Sequence, residues 1–437
     1  MSILEKKLLL ILFSISLCGE TFSQIAYRIT NSLKYKLQKK EIRLFQYRLK
    51  EVESKKWGKI ESEYRILYRF QTPILKFETQ APVGVTNGQI IYAPIETPFP
   101  LGKKKLFIGI LRYSYPLFTG FALSKSIKKA QLEVIREQLK LENLKRELLL
   151  KAGELYSSIY QIKAEIWALE KAREALVIAR NQAQSLSQEG LIDQATLDGI
   201  TAQYYQTVAS IKAKKAKKRA LLNLLSYLLN QKITDIEGIR ILKPQFHPNF
   251  QSRPDIKVLK KELQVADTKI ELVKARYYPQ IGVEVGFKLE GENLWLSKNS
   301  YRNLDQSYWA VVIKYPIWEG GNRKAQLEEA KIEKLANLLF YKNYLKKVET
   351  NYKNNKAQLD ALYYQLKAVK AEIKARKSYY KMISGKFKEG LADSSDFTRA
   401  VAQLTEARAQ KEALRAQIFF LILKLKLDGG EKIVFKH

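Results

Sequence analysis

The chain consists of two related halves that are offset by 200 residues. The segment Tyr-Pro-Leu-Phe-Thr-Gly at 115–120 returns as Tyr-Pro-Ile-Trp-Glu-Gly at 315–320, and 315 − 115 = 200. Farther along, Gln-Glu-Gly-Leu-Ile-Asp at 188–193 returns as Lys-Glu-Gly-Leu-Ala-Asp at 388–393, and 388 − 188 = 200. Two landmarks in the same register indicate a duplicated unit. Each half should therefore have the same architecture.

Between these landmarks the sequence predicts a very long helix. From 117 to 188 there is no proline, and apolar residues recur at steps of three and four, as at Leu132, Ile135 and Leu139. At about 1.5 Å per residue, some 70 residues form a rod of about 105 Å. The repeat predicts a second such helix over 318–388. Helices of this length do not fold back into a compact globule.

Each long helix is predicted to turn back on itself. Gly190 and Gly390 follow the last periodic residues, where glycine favours a helix end. Asp193 and Asp393 come three residues later, where a carboxylate caps the start of the next helix. The return helices are expected over 193–231 and 393–427. Each half thus contains a helical hairpin.

Four segments ahead of the long helices alternate between apolar and polar residues. They are expected at about 60–78, 106–116, 280–290 and 307–317. About ten alternating residues are what a tilted strand needs to cross a bilayer. Half-buried strands of a soluble sheet would alternate in the same way, but an export signal together with very long helices favours a membrane barrel. Four strands cannot close a barrel, so the chain is expected to oligomerise.

The first residues are typical of a secretory signal, which we place at 1–23. Lys6 and Lys7 precede an apolar run, and a small-x-small site ends at Ser23. Cleavage there would remove Cys18, the only cysteine. The alternative is a lipoprotein signal with Cys18 acylated, although the bulky Leu17 before it does not suit that signal.

The remaining boundaries follow from the repeat and from proline. The first repeat spans 24–231 and opens with a helix near 26–56. A proline-containing linker covers 232–253, the second repeat covers 254–428 with a helix at 254–277, and a tail covers 429–437. In Arg253-Pro254-Asp255, Pro254 suits the first helical position and Asp255 favours the positive helix end. The sequence assigns these residues no further role.

The net charge of +33 raises the question of nucleic acid. The basic residues are dispersed around helices and accompany no nucleic-acid motif, so solvated helix faces are the better interpretation. His247 and His437 are the only histidines, which leaves no histidine-based metal cluster or catalytic triad within one chain. Hence we expect no enzyme activity, no cofactor and no nucleic-acid partner. A non-conducting periplasmic or surface coiled coil is the alternative, and a nucleic-acid-binding rod ranks third.

In its motifs the chain resembles the TolC family of outer-membrane efflux proteins. The resemblance is densest in the second half and rests on the order of several short motifs. These are Arg253-Pro254-Asp255, then Ala275-Arg276-Tyr277-Tyr278-Pro279-Gln280-Ile281, then Tyr315-Pro316-Ile317-Trp318-Glu319-Gly320-Gly321, then Phe387-Lys388-Glu389-Gly390. The first half departs from the pattern, because its N-terminal helix lacks an Asn-Pro pair and its proline-rich loop at 79–104 is longer than the counterpart.

The resemblance implies a mainly α fold with a membrane β-barrel. Each chain would contribute two repeats of two strands plus a helical hairpin. Three chains would form a twelve-stranded barrel in outer-membrane lipid and a helical tunnel through the periplasm. The implied function is passive conduction in a tripartite efflux or type I secretion system. The implied partners are a periplasmic adaptor (membrane fusion) protein and an inner-membrane pump of RND, ABC or MFS type.

The resemblance also implies roles for residues at the two tips. Asp396 matches the first of the acidic positions that form a cation-selective gate at the periplasmic end. The next acidic position is Arg399 here, which puts the charge selectivity in question, and Asp393 lies beside them. Adaptor tips would dock beside Gly190, Leu191 and Asp193, and beside Gly390 and Leu391.

Overall fold

A computed structural model describes residues 19–239, 241, 244–296, 306–389 and 391–431. The chain is mainly helical with antiparallel strands, as the sequence predicted. In chain order the helices are α1 (Phe22–Arg28), α2 (Leu33–Ser54), α3 (Ala122–Gln188), α4 (Gln194–Leu229), α5 (Pro254–Ala275), α6 (Asn322–Lys388) and α7 (Ser394–Asp428). The strands are β1 (Lys59–Tyr68), β2 (Ile74–Thr86), β3 (Gln89–Pro100), β4 (Lys105–Phe118), β5 (Gln280–Gly291) and β6 (Gln306–Lys314).

The two long helices, α3 and α6, each contain 67 residues and are therefore about 100 Å long. Helix α3 begins five residues later than expected because residues 115–118 still belong to strand β4. Gly120 then takes a left-handed φ of 58°, and the Thr119 hydroxyl accepts a hydrogen bond from the Leu123 amide at 3.1 Å. The change from strand to helix thus needs this glycine and its capping threonine.

The strands form two separate sheets. One has the antiparallel order β1-β4-β5-β6, and the other pairs β2 with β3. The first-half strand expected at about 60–78 is interrupted, because β1 ends at Tyr68 and β2 starts at Ile74. The proline-rich loop expected at 79–104 is largely a β-hairpin, closed at Asn87-Gly88, where both residues have positive φ. Asn-Gly is the residue pair that a two-residue hairpin turn prefers.

The chain divides into two compact units, and each draws on both repeats. One comprises the described parts of 1–45, 133–264 and 335–437, and the other comprises 46–132 with the described parts of 265–334. The second unit contains all the described strands. The main core of the first unit lies between helices, where Tyr156, Ile159, Leu225 and Leu229 are at most 1% exposed.

The residues just after Cys18 are part of the folded core of the first unit. The Glu20 amide donates to Asp235 O, and the Glu237 amide donates to Glu20 O, both at 3.0 Å. Phe22 is 9% exposed and makes edge-on ring contacts with Tyr156 and Phe419. A Cβ atom on Gly19 would come within 2.4 Å of the Ile236 backbone. The segment around Gly19 is therefore packed closely against residue 236.

We therefore expect the mature protein to retain residues 19–23. Cleavage after Ser23 would remove both backbone hydrogen bonds and the Phe22 ring, whose loss alone costs about 3–5 kcal/mol at a buried site. Acylation of Cys18 would instead require cleavage before Cys18, which retains residues 19–23; Cys18 itself lies outside the described residues. Intact-mass and N-terminal peptide analysis of the exported protein measure this directly. A mature N-terminus at Gln24 would contradict the expectation. As a check that Phe22 is packed in the core, the Phe22→Ala variant should have a lowered melting temperature.

Candidate functional site

The four-stranded sheet has two chemically different faces. In the observed register Ile66 lies opposite Phe107, Leu111 opposite Phe287, and Val283 opposite Val311. These residues share one face. Phe107 is buried, but most of the face is uncovered in the single chain: Ile66 is 57%, Val311 is 52% and Trp309 is 75% exposed. Such a face is stable only against an apolar medium or another protein surface.

The opposite face is charged. Arg112 Nε lies 3.0 Å from Glu284 Oε1, and the Tyr308 hydroxyl donates to the same oxygen at 2.5 Å. Glu61 with Lys59 and Glu63 with Arg65 form further ion pairs along β1. Apolar residues such as Ile108 and Val312 also lie on this face, but all the ion pairs named here are on it. Because successive side chains point to opposite faces, the sheet separates a charged side from an apolar side.

The edges of this sheet are open among the described strands. Strands β1 and β6 are the two ends of the order and pair on one side only. An unpaired strand edge leaves backbone donors and acceptors available for another chain. Both edges of the sheet can therefore pair with strands of another chain.

The first tip, 189–193, follows the sequence prediction in its geometry. Gly190 has a φ of 72°, and the Leu191 amide donates back to Leu186 O at 2.9 Å, which ends α3. Asp193 then caps α4, accepting from the Thr196 amide at 2.8 Å. Hydrogen bonding to Thr196 lowers the pKa of the Asp193 carboxyl below its ordinary value. Leu191 is 66% exposed, so the tip presents an uncovered apolar side chain.

The second tip has the same arrangement in the residues described. The Leu391 amide donates to Lys386 O at 2.8 Å, and Asp393 caps α7 by accepting from the Asp396 amide at 2.8 Å. This backbone hydrogen bond is the main cause that lowers the pKa of the Asp393 carboxyl. Leu391 is 72% exposed. Gly390 lies outside the described residues.

Of the three predicted gate residues, Asp393 is the cap of α7, while Asp396 and Arg399 lie one helical turn apart on that helix. Arg399 Nη1 is 3.6 Å from Asp396 Oδ1, and both side chains are exposed, at 61% and 40%. The arginine that replaces an acidic residue therefore pairs with Asp396 within the same chain. An exposed pair of this kind contributes at most about 1 kcal/mol, so it constrains neither side chain strongly.

Sequence reasoning missed an aromatic cluster beside this tip. Phe387 and Phe397 are stacked with ring centroids 4.5 Å apart, and both are buried. Ala175 of α3 packs into the same cluster, so the cluster joins the C-terminal part of the first long helix to the second tip. Only the placement of two phenylalanines on either side of the tip signals it in the sequence.

A second feature that the sequence did not reveal is a buried ion cluster. Arg253 Nη2 lies 2.6 Å from Asp255 Oδ2, while Arg146 bridges Asp255 at 3.2 Å and Asp428 at 2.9 Å. Tyr344 donates to Asp255 Oδ2 at 2.9 Å. The Arg253 and Asp255 side chains are only 5% and 10% exposed. The Arg-Pro-Asp segment thus does more than begin α5: it ties α3, α5, α6 and α7 together.

Two helices carry apolar stripes that remain uncovered in the single chain. On α2 the stripe comprises Leu33, Leu37, Leu44 and Tyr47, which are 50–69% exposed. On α6 the stripe comprises Ile332, Leu335, Leu339 and Phe340, which are 56–66% exposed. A ring of identical subunits requires two different contact surfaces on each chain. One surface contacts the preceding subunit and the other contacts the following subunit.

Within the described part of the chain, no three acidic, histidine or cysteine residues are grouped closely enough to hold a metal ion. No described helix combines the length and the hydrophobicity that crossing a bilayer demands.

The comparisons with known proteins agree with this geometry. Residues 250–419 match the family model described as outer membrane efflux protein. Over 192 residues the chain is 22% identical to nodulation protein T of Rhizobium leguminosarum bv. trifolii, covering 43% of this chain and 40% of that protein. It is 23% identical over 169 residues to the probable efflux pump outer membrane protein TtgC of Pseudomonas putida, covering 36% and 32%. The chain thus matches less than half the length of either relative.

The fold is similar over nearly the whole chain to that of solved channels. With the outer membrane channel CmeC of Campylobacter jejuni the TM-score is 0.75 at 14% sequence identity, covering 93% of this chain and 84% of that one. The fold is accordingly that of the outer-membrane channel proteins that combine barrel strands with long helical hairpins. Residues 250–419 thus resemble the outer membrane efflux proteins, and the fold over nearly the whole chain is that of a solved outer membrane channel.

Proposed function

We propose that this protein is the outer-membrane channel of a tripartite efflux or type I secretion system, through which substrates pass passively from an inner-membrane pump to the outside. The observation that carries the proposal is the four-stranded sheet with one apolar and one charged face, in a chain whose helical hairpins are about 100 Å long. Lipid would cover the apolar face and water would fill the charged side.

The channel would be a homotrimer. Three copies of the four-stranded sheet give twelve strands, enough to close a water-filled barrel, whereas four cannot close one. Closure would pair the open edge of β1 with that of β6 in the next subunit. The stripes on α2 and α6 supply apolar surface for the contacts between subunits.

The partners would meet the helical tips. A periplasmic adaptor would dock beside Gly190, Leu191 and Asp193 of the first tip, and beside Gly390 and Leu391 of the second. The exposed leucines support this proposal, because they give an adaptor helix an apolar contact next to a tight turn. An RND, ABC or MFS pump in the inner membrane would supply the energy, so the channel itself would need neither a catalytic site nor a cofactor.

The proposal is tested by planar-bilayer conductance of the detergent-purified mature protein, with native mass measured on the same preparation. A trimer with stable unitary conductance is expected. A protein that stays in solution without detergent and never conducts would instead favour the coiled-coil spacer.

The tip pair Asp396 and Arg399 should set the charge preference of the periplasmic entrance. We expect Asp396→Ala to weaken block by multivalent cations added on the periplasmic side. Arg399→Ala should strengthen that block, because it leaves three Asp396 carboxylates without their internal counter-ions. Asp198→Ala, an exposed acid just after the first tip, is the matched control and should have no effect. If neither tip variant alters block, Asp396 does not act as a gate residue.

A further inference from the structure

The hairpin β2–β3 extends the first repeat and has no counterpart among the described strands of the second. It spans Ile74–Pro100 and forms its own two-stranded sheet. It follows β1 after five residues and returns to β4 after four. An isolated two-stranded hairpin is marginally stable, so a hairpin this long needs another surface to pack against.

One face of this hairpin is apolar and uncovered. Below the bulge at Pro82/Gly84, the register puts eight residues on this face: Leu75, Phe77, Thr79, Ala81, Ala93, Ile95, Thr97 and Phe99. Phe77 is 50% exposed and Phe99 is 54% exposed. All three charged residues of the hairpin, Lys76, Glu78 and Glu96, lie on the other face, where Lys76 pairs with Glu96 at 2.8 Å.

The apolar face mixes small and large side chains. Its two middle pairs are Phe77 with Thr97 and Thr79 with Ile95, and the hydroxyls of Thr79 and Thr97 lie 3.3 Å apart, where each can satisfy the other. Ala81 lies directly opposite Ala93. The small side chains leave room between the large ones for side chains of a second such face.

The outer edge of β3 is closed to strand addition. Strand β3 contains three prolines at alternate positions of the strand, and it is paired to β2 along its length. The prolines and their partners on β2 are Pro94 with Gln80, Pro98 with Lys76 and Pro100 with Ile74. Proline has no N–H, so these residues occupy the positions whose N–H would point away from β2. An incoming strand would find three donors missing. Strand addition at this outer edge of β3 is therefore unfavourable.

From these observations we infer that the apolar faces of the three hairpins turn toward the threefold axis of the trimer and pack on one another there, forming a collar above the barrel. The inference rests on the proposed trimer. The hairpin leaves the sheet from β1, the edge strand that closure would place at a subunit boundary, so each hairpin starts next to another copy of the chain. The face is free of charge and can pack against its own copy without opposing like charges.

Cysteine cross-linking in isolated outer membranes tests the collar. Single substitutions Ala81→Cys, Ala93→Cys and Thr97→Cys lie on the apolar face, and Gln80→Cys and Glu96→Cys are matched controls on the charged face. A short bifunctional thiol reagent should give a cross-linked dimer with at least one apolar-face variant and with neither control. The unmodified chain, whose only cysteine is Cys18, measures the background.

Two further measurements separate the possible failures. If no apolar-face variant cross-links and a fluorophore at Ala81→Cys is quenched by brominated phospholipid, the face lies against lipid and the inference is wrong. If there is neither cross-linking nor quenching, the apolar face contacts neither a second hairpin nor lipid, and the inference is equally wrong. Native mass of the same samples reports on the trimer: loss of the trimer would overturn the proposed function, whereas a trimer without cross-links would overturn only the collar.

Discussion

Replacing Val311 with arginine should prevent stable insertion into the outer membrane, while the same change at Ala310 should be tolerated. Val311 lies on the apolar face of β6 opposite Val283, and its side chain is 52% exposed in the single chain. An arginine facing lipid near the middle of a bilayer destabilises a barrel by about 2–4 kcal/mol. Three copies in a trimer would give a total of about 6–12 kcal/mol.

Ala310 provides a matched control one residue away. It lies on the charged face opposite Glu284, so an arginine there would meet an acidic neighbour and water. Urea titration of the two variants folded into lipid vesicles, together with fractionation of outer membranes, measures the difference. Equal insertion of Val311→Arg and Ala310→Arg would mean that the apolar face does not contact lipid, and the barrel would have to be abandoned.

Asp255→Ala is expected to lower the free energy of unfolding of the first unit by about 3–5 kcal/mol. This is the usual effect of leaving a buried charge without its partner. The Asp255 carboxylate accepts from Arg253, Arg146 and Tyr344, and its side chain is only 10% exposed. Removing it leaves two arginines with only Asp428 as an acidic partner.

An exposed ion pair on the same chain serves as the control. Asp267 and Lys334 are 2.7 Å apart, but their side chains are 51% and 43% exposed, so Asp267→Ala should change stability by less than about 1 kcal/mol. Urea or thermal unfolding followed by helix content compares the two variants. Equal, small effects would show that the buried cluster contributes no more than a surface pair.

The same carboxylate should make the protein sensitive to acid. Burial alone would raise the pKa of Asp255, but hydrogen bonding to Arg253 and the charge of Arg146 outweigh it and lower that pKa below its ordinary value. A lowered folded-state pKa stabilises the fold above the unfolded value of about 3.9, and this stabilisation is lost as the pH falls through the folded pKa. The difference in stability between the wild type and Asp255→Ala should therefore shrink below about pH 4.

Much of the candidate site follows from local patterns in the sequence. The alternation in segments such as 281–289 assigns each residue to a face, because successive side chains of a strand point in opposite directions. The glycine and aspartate at each tip predict a helix end and a new helix start, and the described residues of both tips have those caps. What the tips contact in an assembled channel stays a prediction.

The sequence by itself therefore determined the duplicated plan, the long helices, the tips and the two-faced strands, since each depends on residues close together in the chain. The tertiary structure alone decided three other features. The cluster around Asp255 combines residues separated by up to 282 positions, and Phe22 reaches its core through Tyr156 and Phe419. The sequence did not predict the hairpin at 74–100, because its prolines are typical of a loop. Prolines are compatible with a strand only where the register places them on the outer edge, and that register is seen only in the folded hairpin. Contacts across such distances leave no periodic trace, because only folding brings those side chains together.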